Sequence, residues 1–152
     1  MKSIDETDRQ ILKILQADAT TSLEAIAERL SVSVNTCWRR VRRLEEDGII
    51  QKRVAICDPE LLNVGQVVFV AIRTSDHSSD WLERFAKTVI DLPEVLEFYR
   101  MAGDVDYMLK IAVGSVSEYD RVYKSLISKV EVGDVSATFA MECIKNTTEL
   151  PV

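Results

Sequence analysis

Two hydrophobic rhythms follow one another along the chain. In the first, Ile11, Ile14 and Leu15 recur at helical spacing up to Asp18, behind Asp5, a good N-cap, and an acidic first turn. Thr21-Ser22-Leu23-Glu24 has the form of a capping box, with Glu24 reaching back to the backbone N–H of Thr21. It opens a short helix with Leu23, Ile26, Ala27 and Leu30 on one face, and Ser31-Val32-Ser33 breaks it. Ser33 then caps a third helix running to Asp47, with Gly48 as its stop. In that helix Cys37, Val41 and Leu44 fall at i, i+4, i+7 and are expected to face the core, Cys37 as a small apolar residue. Ile49 to Ile56 reads as extended, a short wing or a linker strand; Asp58-Pro59 ends it, and Pro59 to Gly65 forms a hinge.

The second rhythm mixes periods. Val67–Ile72 is the longest apolar run and predicts a strand, followed by a polar loop at Ser75–Ser79. Leu82, Phe85, Ala86 and Val89 predict an amphipathic helix, Val95–Met101 an extended segment, and Gly103–Asp106 a turn. Tyr107, Leu109, Ile111 and Val113 alternate as in a half-buried strand. Tyr119, Val122, Tyr123, Leu126, Ile127 and Val130 mark a second helix, and Val135, Ala137, Phe139 and Met141 a last strand. The order β-α-β-β-α-β is the ferredoxin-like arrangement. The expected fold is therefore α+β. A winged helix-turn-helix occupies residues 1–52, a linker strand and hinge residues 53–65, and a ferredoxin-like effector and dimerisation domain residues 66–152.

Charge changes the meaning of the third helix. The chain of 152 residues carries a net −6, which taken alone argues against a nucleic-acid partner. Residues 1–53, however, hold ten Lys/Arg against nine Asp/Glu, and residues 54–152 hold nine against sixteen. Four of the ten N-terminal cations fall within Arg39–Arg43. A helix fits the major groove of double-stranded DNA, where base edges supply specificity and phosphates supply most non-specific affinity. The candidate contacts are Asn35, Thr36, Trp38, Arg39, Arg40, Arg42 and Arg43. Asn pairs with adenine, Thr touches a thymine methyl and Arg suits guanine, while some of the arginines meet phosphate instead. Trp38 either lies against backbone sugars or closes the small core. The plain alternative for the run is a solvated face balanced by Glu45, Glu46 and Asp47.

Other chemistry is sparse. Cys37, Cys57 and Cys143 are scattered, with no metal-ligand spacing, so neither a metal nor a disulfide framework is expected. There is no cofactor motif, phosphate loop or nucleophile elbow, and the single histidine, His77, sits in a polar loop. An enzyme is not expected. Nor is a membrane partner, since no apolar run approaches the ~18 residues of a span. The acidic start MKSIDETDRQ predicts no secretory signal and a cytoplasmic setting.

The segment IDETDRQILKILQADATTSLEAIAERLSVSVNTCWRRVRRLEEDGII resembles the helix-turn-helix domain of the leucine-responsive/asparagine-responsive (Lrp/AsnC) regulators. DPELLN is similar to their linker, and FYRMAGDVDYMLKIAV and TFAMECIKNTTELP to their effector-domain turn and last strand. One departure is Val34, where the family often has Pro at the first turn of the recognition helix; Val starts that helix less firmly. The resemblance implies a feast/famine transcriptional regulator that forms homodimers, often assembled into octamers, and senses a small amino acid such as cysteine or leucine between subunits. MAGDVDY, YDRVYKSL and FAMECIK look most like a subgroup associated with cysteine response.

Carried over by motif, the effector turn is Met101, Ala102, Gly103, Asp104, Val105 and Asp106, faced by Phe139 and Ala140 from a neighbouring chain. Asp104 or Asp106 could accept from an ammonium group, and a turn containing Gly103 exposes N–H groups to a carboxylate. The plain alternative is that GDVD is only a hairpin connection. The rival function is an amino-acid-sensing or interaction protein that does not bind DNA, which failure to bind any duplex at low salt would favour.

Overall fold

The computed structural model describes residues 3–152. By internal contacts the chain falls into two units, Met1–Ile56 with Ile144–Val152, and Cys57–Cys143.

The first unit holds α1 (Glu6–Ala17), α2 (Leu23–Leu30) and α3 (Val34–Glu46). Asp5 caps α1 in a reciprocal box: the Asp8 N–H donates to Asp5 Oδ1 at 2.9 Å, and the Asp5 N–H donates to Asp8 Oδ2 at 3.0 Å. The box expected at Thr21 is not formed. The cap is Ser22, one residue later, whose hydroxyl accepts from the Ala25 N–H. Ser31 takes the left-handed conformation that closes α2, and the Ser33 hydroxyl accepts from the Thr36 N–H to start α3. Gly48, at φ +72°, ends α3 as expected, and the N–H groups of Ile49 and Ile50 both donate to the Leu44 carbonyl.

That turn corrects the reading of Ile49–Ile56. It folds Ile49 and Ile50 back onto the core, and residues 51–60 are exposed without strand pairing. Neither a wing strand nor a linker strand forms, because no neighbouring strand of this unit is there to pair with. The core is aliphatic: Ile11, Leu12, Leu15, Ile26 and Ala27 pack on Cys37, Val41 and Leu44. The C-terminal tail also joins this unit, against the expected division that placed it with the second domain. The Gln16 side-chain amide donates to the Leu150 carbonyl at 3.3 Å and accepts from the Leu150 N–H at 2.7 Å, and Val152 packs on the core.

The second unit is β1 (Gln66–Arg73), α4 (Ser79–Ile90), β2 (Val95–Arg100), β3 (Tyr107–Val113), α5 (Val116–Lys129) and β4 (Asp134–Phe139). Its sheet is antiparallel throughout, in the order β2-β3-β1-β4. Strand alternation puts Val68, Val70, Ile72, Leu109 and Ile111 on the face covered by α4 and α5. Val67, Phe69, Ala71, Met108, Lys110 and Ala112 lie on the other face, which no element of the unit covers. Two expectations shift. Trp81, outside the expected stripe, is buried with Phe85 and Val89 on α4. β4 ends at Phe139, so Met141, expected on the strand with Val135, Ala137 and Phe139, lies beyond it and is exposed.

Candidate functional site

Because Cys37, Val41 and Leu44 are buried, the phase of α3 is set, and Asn35, Arg39 and Arg42 form the opposite stripe at the same i, i+4, i+7 spacing. Trp38, 46% exposed, borders that stripe and does not close the core. The Arg42 guanidinium lies 5.3 Å from the centre of its ring and pairs with Glu46 one turn on, at 2.8 Å. Thr36 is half-buried, its hydroxyl accepting from that of Ser33 at 2.8 Å. Among the described residues the Arg39 side chain is exposed and has no ion-pair or hydrogen-bond partner.

Arg40 and Arg43 are placed differently. Arg40 Nη1 donates to Asp5 Oδ2 at 2.7 Å and to Asp8 Oδ1 at 2.9 Å, and Arg43 Nη2 donates to Asp8 Oδ2. The Asp8 side chain is wholly buried. The hydrogen bond from the Asp8 N–H and those from Arg40 hold the exposed Asp5 carboxyl below its ordinary range. The sequence reading missed Asp8 as a partner of α3. Its only local signal was a second Asp three residues after the cap. Burial also pushes the Cys37 thiol up, as suits a packing residue.

In the second unit the Met101 N–H donates to the Asp106 carbonyl at 2.8 Å and closes the β2–β3 turn. Gly103 sits at φ +131°, where a side chain would be strained. The Asp106 carboxylate accepts from the Thr74 N–H at 2.9 Å and has His77 Nδ1 at 3.9 Å. It therefore pins the turn to the end of β1. Arg73 Nε assists by donating to the Asp104 carbonyl at 2.7 Å. The Asp104 carboxylate is exposed, as are Met101, Ala102 and Gly103, while Val105 is half-buried.

Phe139 and Ala140 stand at the far end of β1: Phe139 pairs with Val68, and the Ala140 N–H donates to the Val67 carbonyl. The turn attaches at Ile72, through the Asp106 N–H. Four strand residues separate the two ends, about 13 Å, so one chain does not bring both halves of the candidate site together. A cavity of the unit, of about 280 Å³, is lined by Thr74, Asp76, Trp81, Arg84 and Lys129 among others and by no residue of the turn. Among the described residues no cluster of His, Cys, Asp or Glu could hold a metal, and no helix is long and apolar enough to cross a membrane.

A capped reading helix followed by an α+β sensing unit defines a ligand-responsive helix-turn-helix regulator, and the comparisons carry that class to a family. Residues 4–51 match a winged helix-turn-helix DNA-binding model, and residues 67–150 match the Lrp/AsnC ligand binding domain. A glutamate uptake regulatory protein of Zymomonas mobilis is 50% identical over 100% of this chain and 93% of its own length. A crystal structure of an AsnC family transcriptional regulator from Agrobacterium tumefaciens superposes with a TM-score of 0.94 at 51% identity, covering 97% of each chain. A transcriptional regulator of Neisseria meningitidis, solved as its L-Met complex, superposes at 0.92 with 32% identity, covering 98% of this chain and 97% of that one. The chain belongs to the Lrp/AsnC family of transcriptional regulators.

Proposed function

We propose that the chain reads double-stranded DNA through the exposed stripe of α3, and that a small amino acid bound between subunits modulates that reading. The observation that carries the first half is Arg39, a cation whose side chain has no partner among the described residues, midway along a stripe with Asn35 and Arg42. Arg39 and Asn35 take base edges; Thr36 and Trp38 flank them at the N-terminal end, and Arg42 is shared between Glu46, Trp38 and backbone phosphate. Residues 1–52 carry the reading, 53–65 the linker, and 66–143 the sensing and assembly, with the tail from Ile144 packed on the reading unit. The protein is a cytoplasmic regulator and not an enzyme.

The second half of the proposal places an amino acid where Met101–Asp106 of one chain meets Phe139 and Ala140 of another. Asp106 is already occupied with Thr74, which leaves Asp104 to accept from the ammonium group. The L-Met complex of the Neisseria relative supports an amino acid as the class of ligand. The uncovered sheet face, with Val67, Phe69, Ala71 and Met108, supports a homodimer, which assembles further to an octamer.

A duplex selected from a random pool by the full chain tests the reading half. Arg39→Ala is expected to cost about 1–3 kcal/mol of binding to that duplex and to relax base preference. Unchanged affinity and preference would refute the assignment of Arg39, and failure to bind any duplex at low salt would favour the non-DNA-binding alternative. A thermal-shift panel of the common amino acids, cysteine, leucine and methionine included, tests the sensing half. A ligand at about 100 times its Kd is expected to add about 2.7 kcal/mol per site.

A further inference from the structure

We infer that Asp8 is a positioning residue for DNA reading: it withholds Arg40 and Arg43 from the phosphates and fixes the rotation of α3, so that Arg39 and Asn35 face the groove. The inference rests on the proposal that α3 reads DNA. Asp8 belongs to a different helix, 32 residues from Arg40 and 35 from Arg43 in sequence. Both its oxygens are engaged, Oδ1 by Arg40 and Oδ2 by Arg43 and the Asp5 N–H, and its side chain has no exposure to water.

A desolvated carboxylate is tolerated only while its partners stay in place, and removing one leaves a buried charge short of a hydrogen bond. Swinging Arg40 or Arg43 out to a phosphate incurs that loss and returns only a solvent-screened contact. Arg40 is held further by Asp5, and its side chain is only 26% exposed. Two guanidinium groups three residues apart on α3, bound to one point on α1, also stop the helix from turning about its axis. With two aspartates against two arginines the cluster is close to neutral. The basic run therefore presents Arg39, and Arg42 on a solvent-screened pair with Glu46, rather than four free charges, and specificity rises as non-specific attraction falls.

The test is the salt dependence of binding by the full chain to its selected duplex and to a random-sequence duplex. Asp8→Asn keeps an acceptor for the α1 cap and removes the charge. It is expected to steepen the slope of log K against log salt on the random duplex by about 0.9 for each arginine released. The preference for the selected duplex is expected to fall about tenfold. Adding Arg40→Gln and Arg43→Gln to Asp8→Asn should return the slope to the wild-type value, and Asp8→Glu should restore both slope and preference in part. A folded Asp8→Asn variant with unchanged slope and preference, or one that loses affinity equally for both duplexes at constant slope, would overturn the inference and leave DNA reading intact.

If Asp8→Asn does not fold, Arg43→Gln alone decides. Its slope is expected to match the wild type, and a slope shallower by about 0.9 would show that Arg43 already meets a phosphate. A wild-type chain that binds neither duplex defeats the reading beneath the inference, a different outcome from any of these.

Discussion

α3 is held against α1 by two arginines on one buried carboxylate, whereas α4 is held against its sheet by aromatic rings. Trp81 and Phe85 stack at 4.8 Å between centroids, Tyr107 lies 5.6 and 5.4 Å from them, and Phe98 meets Phe85 edge-on at 5.5 Å. The core of the first unit contains no aromatic residue. The two solutions suit two tasks. Hydrogen-bonded ions have directions and set the rotation of a helix that must present one stripe. Ring packing buries much area and holds a sheet whose other face no element of the unit covers.

The candidate sites differ in the same sense. The stripe of α3 is complete in one chain, while the turn at Met101–Asp106 and the Phe139–Ala140 segment stand at opposite ends of β1. A surface carried on one helix can read DNA as soon as that helix is positioned. On the function proposed above, a site divided between strand ends waits on assembly, which would make ligand response and oligomeric state inseparable.

The largest expected effect breaks the aromatic side of the contrast. Phe85→Ala should destabilise the sheet unit by about 3–5 kcal/mol, measured by denaturant unfolding, because it empties the centre of the ring cluster. A loss below about 1 kcal/mol would show that the rings are not what holds α4. Next, Gly103→Ala places a side chain at φ +131° and is expected to cost about 1–3 kcal/mol. It should also remove the thermal shift given by an amino acid, and a shift of full size would detach the turn from sensing.

The smallest effect concerns acid. The Asp5 carboxyl lies below its ordinary 3.8 in the folded chain, so its contribution to stability is present above that value and lost as pH falls through the lower folded one. The reading unit should therefore lose stability on acidification below about pH 4, and Asp5→Asn should lose less over the same interval. Equal losses in circular-dichroism melts of the two proteins would remove Asp5 from the account.

What the sequence determined by itself was local and periodic. Spacing of 3.6 residues gave the phase of α3, because Cys37, Val41 and Leu44 can all be buried in only one rotation. Caps at Asp5 and Ser33 and the stop at Gly48 follow from side-chain chemistry within a few residues. Alternation along Tyr107–Val113 gave its inward face. Tertiary structure decided what depends on groups distant in the chain. It tied Arg40 and Arg43 to Asp8, returned the tail to Gln16, and buried Trp81, whose indole N–H donates to the Glu131 carbonyl at 2.8 Å. It also left Ile49–Ile56 without a strand, since a strand requires a neighbour that no local pattern reveals. Four arginines in a row look alike as text. They differ in the fold because Arg40 and Arg43 are held by a buried carboxylate, Arg42 only by an exposed one, and the Arg39 side chain by none among the described residues.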